Sequence, residues 1–168
     1  MSAERRAGIG YDSHRFAESG GRLVLGGVEV AGEPGLVGHS DADVVAHALM
    51  DALLGAAGLG DIGDHFPPDD SRWEDADSIE LLGRVATLVG DGGWHVVNAD
   101  VTVIAERPLL GPLKEPMAAR LAGALAVAPG RVNVKASTNE GMGFIGRGEG
   151  IAAIAVAQVV RGAGAGDE

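Results

Sequence analysis

The chain contains no cysteine. Disulfides, thiolate zinc sites, iron–sulfur clusters and thiol nucleophiles are therefore excluded together. Any metal must be held by His, Asp or Glu. Aromatic residues are scarce as well, with two Trp, one Tyr and three Phe among 168 residues, so Val, Leu, Ile and Ala must build the core. Positive charge is in deficit: 13 Lys and Arg stand against 24 Asp and Glu, a formal net charge of −11. A field of that sign does not draw in DNA, RNA or an anionic bilayer. No apolar run approaches the roughly 20 residues of a membrane span. Met1–Arg6 is short and charged, and no signal-peptide core follows it. The expectation is a cytoplasmic protein with no nucleic-acid or membrane partner.

Hydrophobic residues make up 46% of the chain, which excludes an intrinsically disordered composition. No linker or internal repeat divides the sequence, so residues 1–168 read as one domain, with 1–6 and 162–168 as loose ends. Residues 7–13 read as a strand. Leu23–Val30 reads as another, bulged or bent at Gly26-Gly27. Asp41–Ala57 has helical spacing of Val44, Val45, Ala48, Leu49, Ala52, Leu53 and Ala56, with Ser40 as its N-cap. Asp77–Val89 is a second helix. Trp94–Ala105 alternates and is β-branched, a strand. Pro112–Ala126 is a third helix with proline in its first turn. Val132–Ala136 is a strand, and the Gly-rich loop Gly141–Gly150 leads into a last strand, Ile151–Val160, apolar on both faces. The order ββααβαββ predicts an α/β (α+β) fold, a small mixed sheet with helices mainly on one face. The doubly apolar last strand needs a second cover, which a partner subunit can supply.

Asp12 and His14 are two apart on a strand and so project from one face, a ready pair of metal ligands. A catalytic zinc site needs a third protein ligand. His47 fits, as the middle of an Asp43, His47, Asp51 stripe at i, i+4, i+8. The same stripe is also what a solvated helix face looks like. His39-Ser40 lies where a helix N-terminus can bind phosphate through its free amides, although Ser40 has the ordinary role of a cap. Asp61, between Gly60 and the pair Ile62-Gly63, reads as a ligand contact or as a helix-ending turn. Lys135–Gly150 offers the hydroxyls of Ser137 and Thr138, then Glu140, among glycines. Hydroxyls and amides suit phosphate oxygens, and a carboxylate suits Mg²⁺ bound to the same phosphates. It is not a Walker A loop, and a plain Gly-rich hairpin is the alternative.

Taken in order, the blocks GYDSH (10–14), GHSDADVVAHALMDALLGAA (38–57), LGDIG (59–63), FPPDD (66–70), ADVTVIAERP (99–108) and VKASTNEGMGFIGRGEG (134–150) resemble one family, 2-C-methyl-D-erythritol 2,4-cyclodiphosphate synthase. The resemblance runs from about residue 6 to 160. It implies a homotrimer with active sites between subunits and a central cavity. It implies that 4-diphosphocytidyl-2-C-methyl-D-erythritol 2-phosphate is cyclised with release of CMP, a step of non-mevalonate isoprenoid biosynthesis. The cofactors implied are Zn²⁺ and Mg²⁺ (or Mn²⁺), one of each per site. Asp12, His14 and His47 then match zinc ligands and Glu140 the magnesium ligand. Asp51 matches a group that holds one of the zinc ligands from behind. His39 and Thr138 take catalytic positions. The substrate set comprises Ser13, Ser40, Asp61, Ile62, Gly63, Phe66 and Asp70 around the methylerythritol end. Ala105, Pro108, Leu109, Leu110 and Gly111 hold the nucleotide, and Ser137, Asn139, Phe144 and Arg147 complete the set. Arg147 and Glu149 match the pair at the cavity mouth, which makes an isoprenoid diphosphate a candidate ligand there.

Some positions depart from the family's usual text. Ser13 replaces a valine and points away from the ligand face if 12–14 is a strand. Ser137 replaces a common threonine and keeps the hydroxyl. Leu109 and Leu110 stand where many members have a lysine and a hydrophobe, so that side either binds the nucleotide more weakly or takes its cation from elsewhere, with Arg107 as the candidate. Two other readings use fewer of these residues: a zinc phosphoester hydrolase, and a non-catalytic trimeric module that binds nucleotide or isoprenoid.

Overall fold

The computed structural model describes residues 3–162. Its elements are β1 (Glu4–Arg15), β2 (Leu23–Leu25), β3 (Val28–Val30), α1 (Val44–Ala57), α2 (Ile62–His65), α3 (Ser78–Asp91), β4 (His95–Ile104), α4 (Lys114–Ala124), β5 (Val132–Ser137), α5 (Gly143–Gly146) and β6 (Gly150–Arg161). Four strands form one mixed sheet in the order β1-β6-β4-β5, with β4 and β5 parallel and the other pairs antiparallel. The expected small mixed sheet is present. Glu4–Arg6, expected to be loose, are the first residues of β1. Ala3 and Gly162 lie outside any element, and Met1, Ser2 and 163–168 lie outside the described residues.

Leu23–Val30 is not one bent strand but a two-residue hairpin, β2-β3, in a sheet of its own. Gly26 and Gly27 have φ of 56° and 72°, the backbone that a tight hairpin turn matching strand twist requires. The first helix starts three residues later than its spacing suggested, and its N-cap is Asp43 rather than Ser40. Asp43 wins because its carboxylate accepts four buried N–H groups, those of Val45, Ala46, Gly26 and Gly27. One side chain thus caps α1 and ties down the hairpin turn. With those amides taken, the start of α1 is closed to an anion.

α1 lies on β1 at unusually close range. A Cβ on Gly8 would stand 2.1 Å from the Ala52 carbonyl oxygen, and one on Gly10 would stand 1.9 Å from that of Ala48. Only glycine permits this approach. The core lies between the helices and one sheet face, with Leu49, Leu53, Leu82, Trp94, Met117, Leu121 and Ile151 all fully buried. β6 is the second strand of the sheet, and no element among the described residues supplies its expected second cover. Ile154 and Val156 on β6, beside Tyr11 and Ile9 on β1, leave the opposite sheet face with exposed apolar side chains.

Candidate functional site

Strand alternation turns Asp12 and His14 toward α1, where the close packing over Gly10 delivers His47. The three groups meet. Asp12 Oδ2 lies 2.8 Å from His14 Nε2 and 3.1 Å from His47 Nδ1, and the two ring nitrogens are 3.2 Å apart. Each imidazole is fixed from behind. His14 Nδ1 lies 2.9 Å from the Val37 carbonyl, which can only accept, so Nδ1 carries the proton and Nε2 presents its lone pair to the cluster. His47 Nε2 contacts Ser40 Oγ at 2.9 Å and Ser78 Oγ at 3.1 Å. Ser78 in turn donates its hydroxyl to Asp41, so it accepts from His47 Nε2–H and leaves Nδ1 as a lone pair. Partners on the far ring nitrogen set tautomer and orientation in metal-bound histidines in this way.

Two lone pairs and a carboxylate oxygen converge with no fixed donor between them, and the arrangement attracts positive charge. Burial alone would raise the Asp12 carboxyl. Protonated His14 and His47, which would donate to the carboxylate and carry positive charge, outweigh it and hold the group well below the usual carboxylate range. Burial would lower His14, and the bond and charge of Asp12 outweigh that and raise it. A carboxylate and two imidazoles, partly buried and with every ligand atom within 4.8 Å of the others, are donors that suit zinc or a similar divalent ion. The donor set thus fits the expected metal, and among the described residues it is the one such cluster.

Beside it lies a cavity of about 240 Å³. The sequence candidates His14, His47, His39, Ser40, Ile62, Gly63 and Phe66 line it, together with Pro68 of the 66–70 block and with Trp73 and Leu81, which the sequence did not point to. Phe66 and Trp73 pack edge to face at 5.0 Å, and the buried Trp73 Nε1 has no hydrogen-bond partner among the described residues. The cavity thus has a polar end at the histidines and an apolar wall.

A second cavity, of about 250 Å³, lies past the ends of β4 and β5. The sequence candidates Ala105, Pro108, Leu109, Leu110, Gly111, Ser137 and Thr138 line it, joined by Glu106, Ala136 and Lys114. Thr138 Oγ1 donates to Glu140 at 3.2 Å. Glu140 holds φ at 52°, a left-handed conformation that costs a non-glycine residue energy and that collects at functional sites. Its carboxylate is not part of the Asp12 cluster. β1 and β5 are the two sheet edges, about 14 Å apart at a strand spacing of ~4.8 Å. The two cavities nevertheless lie at the same end of the sheet, because His14 and Ile104 pair with the adjacent Ile151 and Ala152 of β6.

Other expected residues do different work. Ser13 is exposed on the opposite sheet face, one residue out of phase with Asp12 and His14. Asp51 does not touch a ligand histidine; it accepts the Ile62 N–H at 2.8 Å and so anchors the start of α2. Asp61 caps α2. Asp70 caps a 3-10 turn at Ser71–Trp73 and pairs with Arg72 at 2.5 Å. Asn139 braces the Gly-rich loop, donating its N–H to Glu106 and its side-chain amide to the Met142 carbonyl. Phe144 is exposed on α5. Arg147 and Glu149 pair at 2.6 Å. Arg107, the candidate cation for the second cavity, binds Glu33 and lies over the Phe16 ring at 4.5 Å. Of the residues that orient the histidines, Asp41 lies within the 38–57 block, whereas Val37 and Ser78, the first residue of α3, lie outside the quoted motifs.

Comparison with known proteins gives a consistent picture. The family model of the YgbB family matches residues 5–160. A 2-C-methyl-D-erythritol 2,4-cyclodiphosphate synthase of Symbiobacterium thermophilum is 59% identical over 90% of this chain and 96% of its own. A bifunctional enzyme IspD/IspF of Anaeromyxobacter dehalogenans is 58% identical over 98% of this chain, which spans only 42% of that protein's length. Among solved structures, a 2-C-methyl-D-erythritol-2,4-cyclodiphosphate synthase in a CDP-bound form superposes with a TM-score of 0.83 at 36% identity, over 92% of this chain and 99% of that one.

Proposed function

This chain belongs to the YgbB family, and from that premise we propose that it cyclises 4-diphosphocytidyl-2-C-methyl-D-erythritol 2-phosphate to 2-C-methyl-D-erythritol 2,4-cyclodiphosphate and CMP. An oxygen of the 2-phosphate forms a bond to the β-phosphorus, the bond from that phosphorus to the bridging oxygen breaks, and CMP departs with the electron pair. The observation that carries this reading is the convergence of Asp12, His14 and His47 beside a cavity with a polar end and an apolar wall. The attacking phosphate is ionised near neutral pH, so no strong general base is needed. The obstacle is repulsion between anions, and bound divalent cations supply the charge that offsets it.

Asp12, His14 and His47 would hold Zn²⁺, and Glu140 would hold Mg²⁺ or Mn²⁺. His39 and Ser40 orient the phosphate end of the substrate. Ile62, Phe66, Trp73 and Leu81 enclose the methyl-bearing carbon chain and exclude water. Ala105–Gly111 receives the cytosine side, and the hydroxyls of Ser137 and Thr138 face the diphosphate. Holding the two reacting groups together in this way lowers the entropic part of the barrier.

The two half-sites lie toward opposite sheet edges, about 14 Å apart at a strand spacing of ~4.8 Å, an arrangement that suits a site shared between subunits. The reading includes a homotrimer. In it the exposed apolar face of Ile9, Tyr11, Ile154 and Val156 would be covered, and one subunit's metal edge would meet its neighbour's nucleotide edge. Arg147 and Glu149 would stand at the mouth of the axial cavity, where an isoprenoid diphosphate is the expected ligand. The substrate is a multiply charged, water-soluble nucleotide, which suits a cytoplasmic enzyme.

Metal analysis and product identification on one purified sample test the proposal. About one zinc per chain, CMP and the cyclic diphosphate are expected. A linear hydrolysed product, or no CMP from a metal-replete sample, overturns it.

A further inference from the structure

We propose that Lys114 is the cation that binds the diphosphate of the nucleotide in the second cavity, and so sets its preference for nucleoside diphosphate over nucleoside. This rests on the cytidine-nucleotide reading of that cavity. The chain carries a net charge of −11, so a phosphate-bearing ligand gains from a cationic side chain beside the divalent ion that Glu140 would hold. The nearby candidates are already engaged. Arg107 is bound to Glu33 and stacked on Phe16. Lys135 pairs with Asp100 at 2.5 Å, and Arg147 with Glu149 at 2.6 Å. Glu106 adds a negative charge to the wall, its carboxylate accepting the N–H groups of Asn139 and Gly141.

Lys114 is the one cationic side chain that lines the cavity, in company with the hydroxyl-bearing Ser137 and Thr138. It is exposed and forms no ion pair among the described residues. It also borders the neighbouring groove of Ala118 and Asn133, so its flexible stem stands on the rim between the two. Its place is not explained by the helix, because it is the first residue of α4, where the helix dipole disfavours a cation. A phosphate at the cavity reverses that cost, since Lys114 then faces an anion in a partly enclosed space.

Titration of the metal-loaded protein with CDP and with cytidine tests the assignment. Lys114→Gln should weaken CDP binding by about 10-fold at low salt and flatten its salt dependence, while leaving cytidine binding unchanged. Lys114→Arg should restore most of the CDP affinity. Equal CDP affinity and equal salt dependence in wild type and Lys114→Gln overturn the role of Lys114 alone. No CDP binding by the wild type overturns the nucleotide reading and this inference with it.

Discussion

Gly10 lies directly against the backbone of Ala48: a Cβ at position 10 would stand 1.9 Å from the Ala48 carbonyl oxygen. Ala48 adjoins His47, and Gly10 shares a strand face with Asp12 and His14. The missing side chain therefore sets how close the helix ligand comes to the strand ligands. Gly10→Ala should push α1 outward by more than a rotamer change can absorb. We expect a loss of about 3 kcal/mol or more, at the upper end for overpacking, and weaker zinc binding. Urea unfolding and zinc titration check this, and an unchanged midpoint with full zinc would refute it.

Asp43 is fully buried and accepts four N–H groups. Asp43→Ala removes the cap of α1 and the anchor of the β2-β3 turn together. With each orphaned buried donor costing about 1–3 kcal/mol, a loss of at least ~3 kcal/mol is expected in chemical denaturation. A loss below ~1 kcal/mol would mean that water or a backbone shift replaces the carboxylate.

The same residue gives stability a pH dependence. Burial pushes the Asp43 carboxyl up to about 6 from 3.8, against the donors that favour its charged form. The folded state thus binds this proton more tightly than the unfolded chain does. The contribution is fully present below pH ~4 and is lost as pH rises through about 6, by on the order of 2–3 kcal/mol. Other groups titrate in this window, so the measurement is the difference between wild type and Asp43→Asn, which cannot ionise. Urea midpoints from pH 4 to 7 should show the wild type losing ground to the variant. Parallel curves would place the carboxyl's folded value near its ordinary one.

Much of the metal centre was legible because it obeys local periodicities. Asp12 and His14 share a face through strand alternation, and His47 lies in the middle of the polar Asp43, His47, Asp51 stripe of the helix. What orients them was not legible. Val37 is 23 residues from His14, and Ser78 is 31 residues from His47, so neither belongs to a periodic pattern. Ser40 and Asp43 are both good caps by type, and the choice fell to Asp43 through its contacts with Gly26 and Gly27, a tertiary effect. The sheet order and its exposed face follow from pairing at long range. The charge of the second cavity was misread for a related reason, since Arg107 finds Glu33, 74 residues away.

Ser78 tests the support behind His47. It accepts from the imidazole Nε2 at 3.1 Å and donates to Asp41. Ser78→Ala keeps the size of the side chain and leaves Ser40 as the partner of Nε2. Zinc affinity should fall by about 10-fold, the low end for loss of a partner behind a metal-bound histidine, with little change in overall stability. Competition with a chelator of known affinity measures it. Unchanged affinity would show that Ser40 alone suffices to orient the ring.

The exposed sheet face tests whether one chain is enough. Val156 is 47% exposed and Tyr11 54%, on neighbouring strands of a face that no helix of the same chain covers. Val156→Asp places a charge there, at little cost to a lone subunit but at a large cost to an interface that buries it. The metal ligands lie on the other face of β1, so the variant should fold and bind zinc. Sedimentation should show trimers for the wild type and monomers for the variant. Because His14 and Thr138 lie toward opposite edges of the sheet, those monomers should release CMP at least ~100-fold more slowly than the wild type, as expected when reacting groups lose their shared positioning. A zinc-loaded monomer with wild-type turnover would show that a single chain closes both half-sites on one substrate, and the intersubunit site would then be wrong.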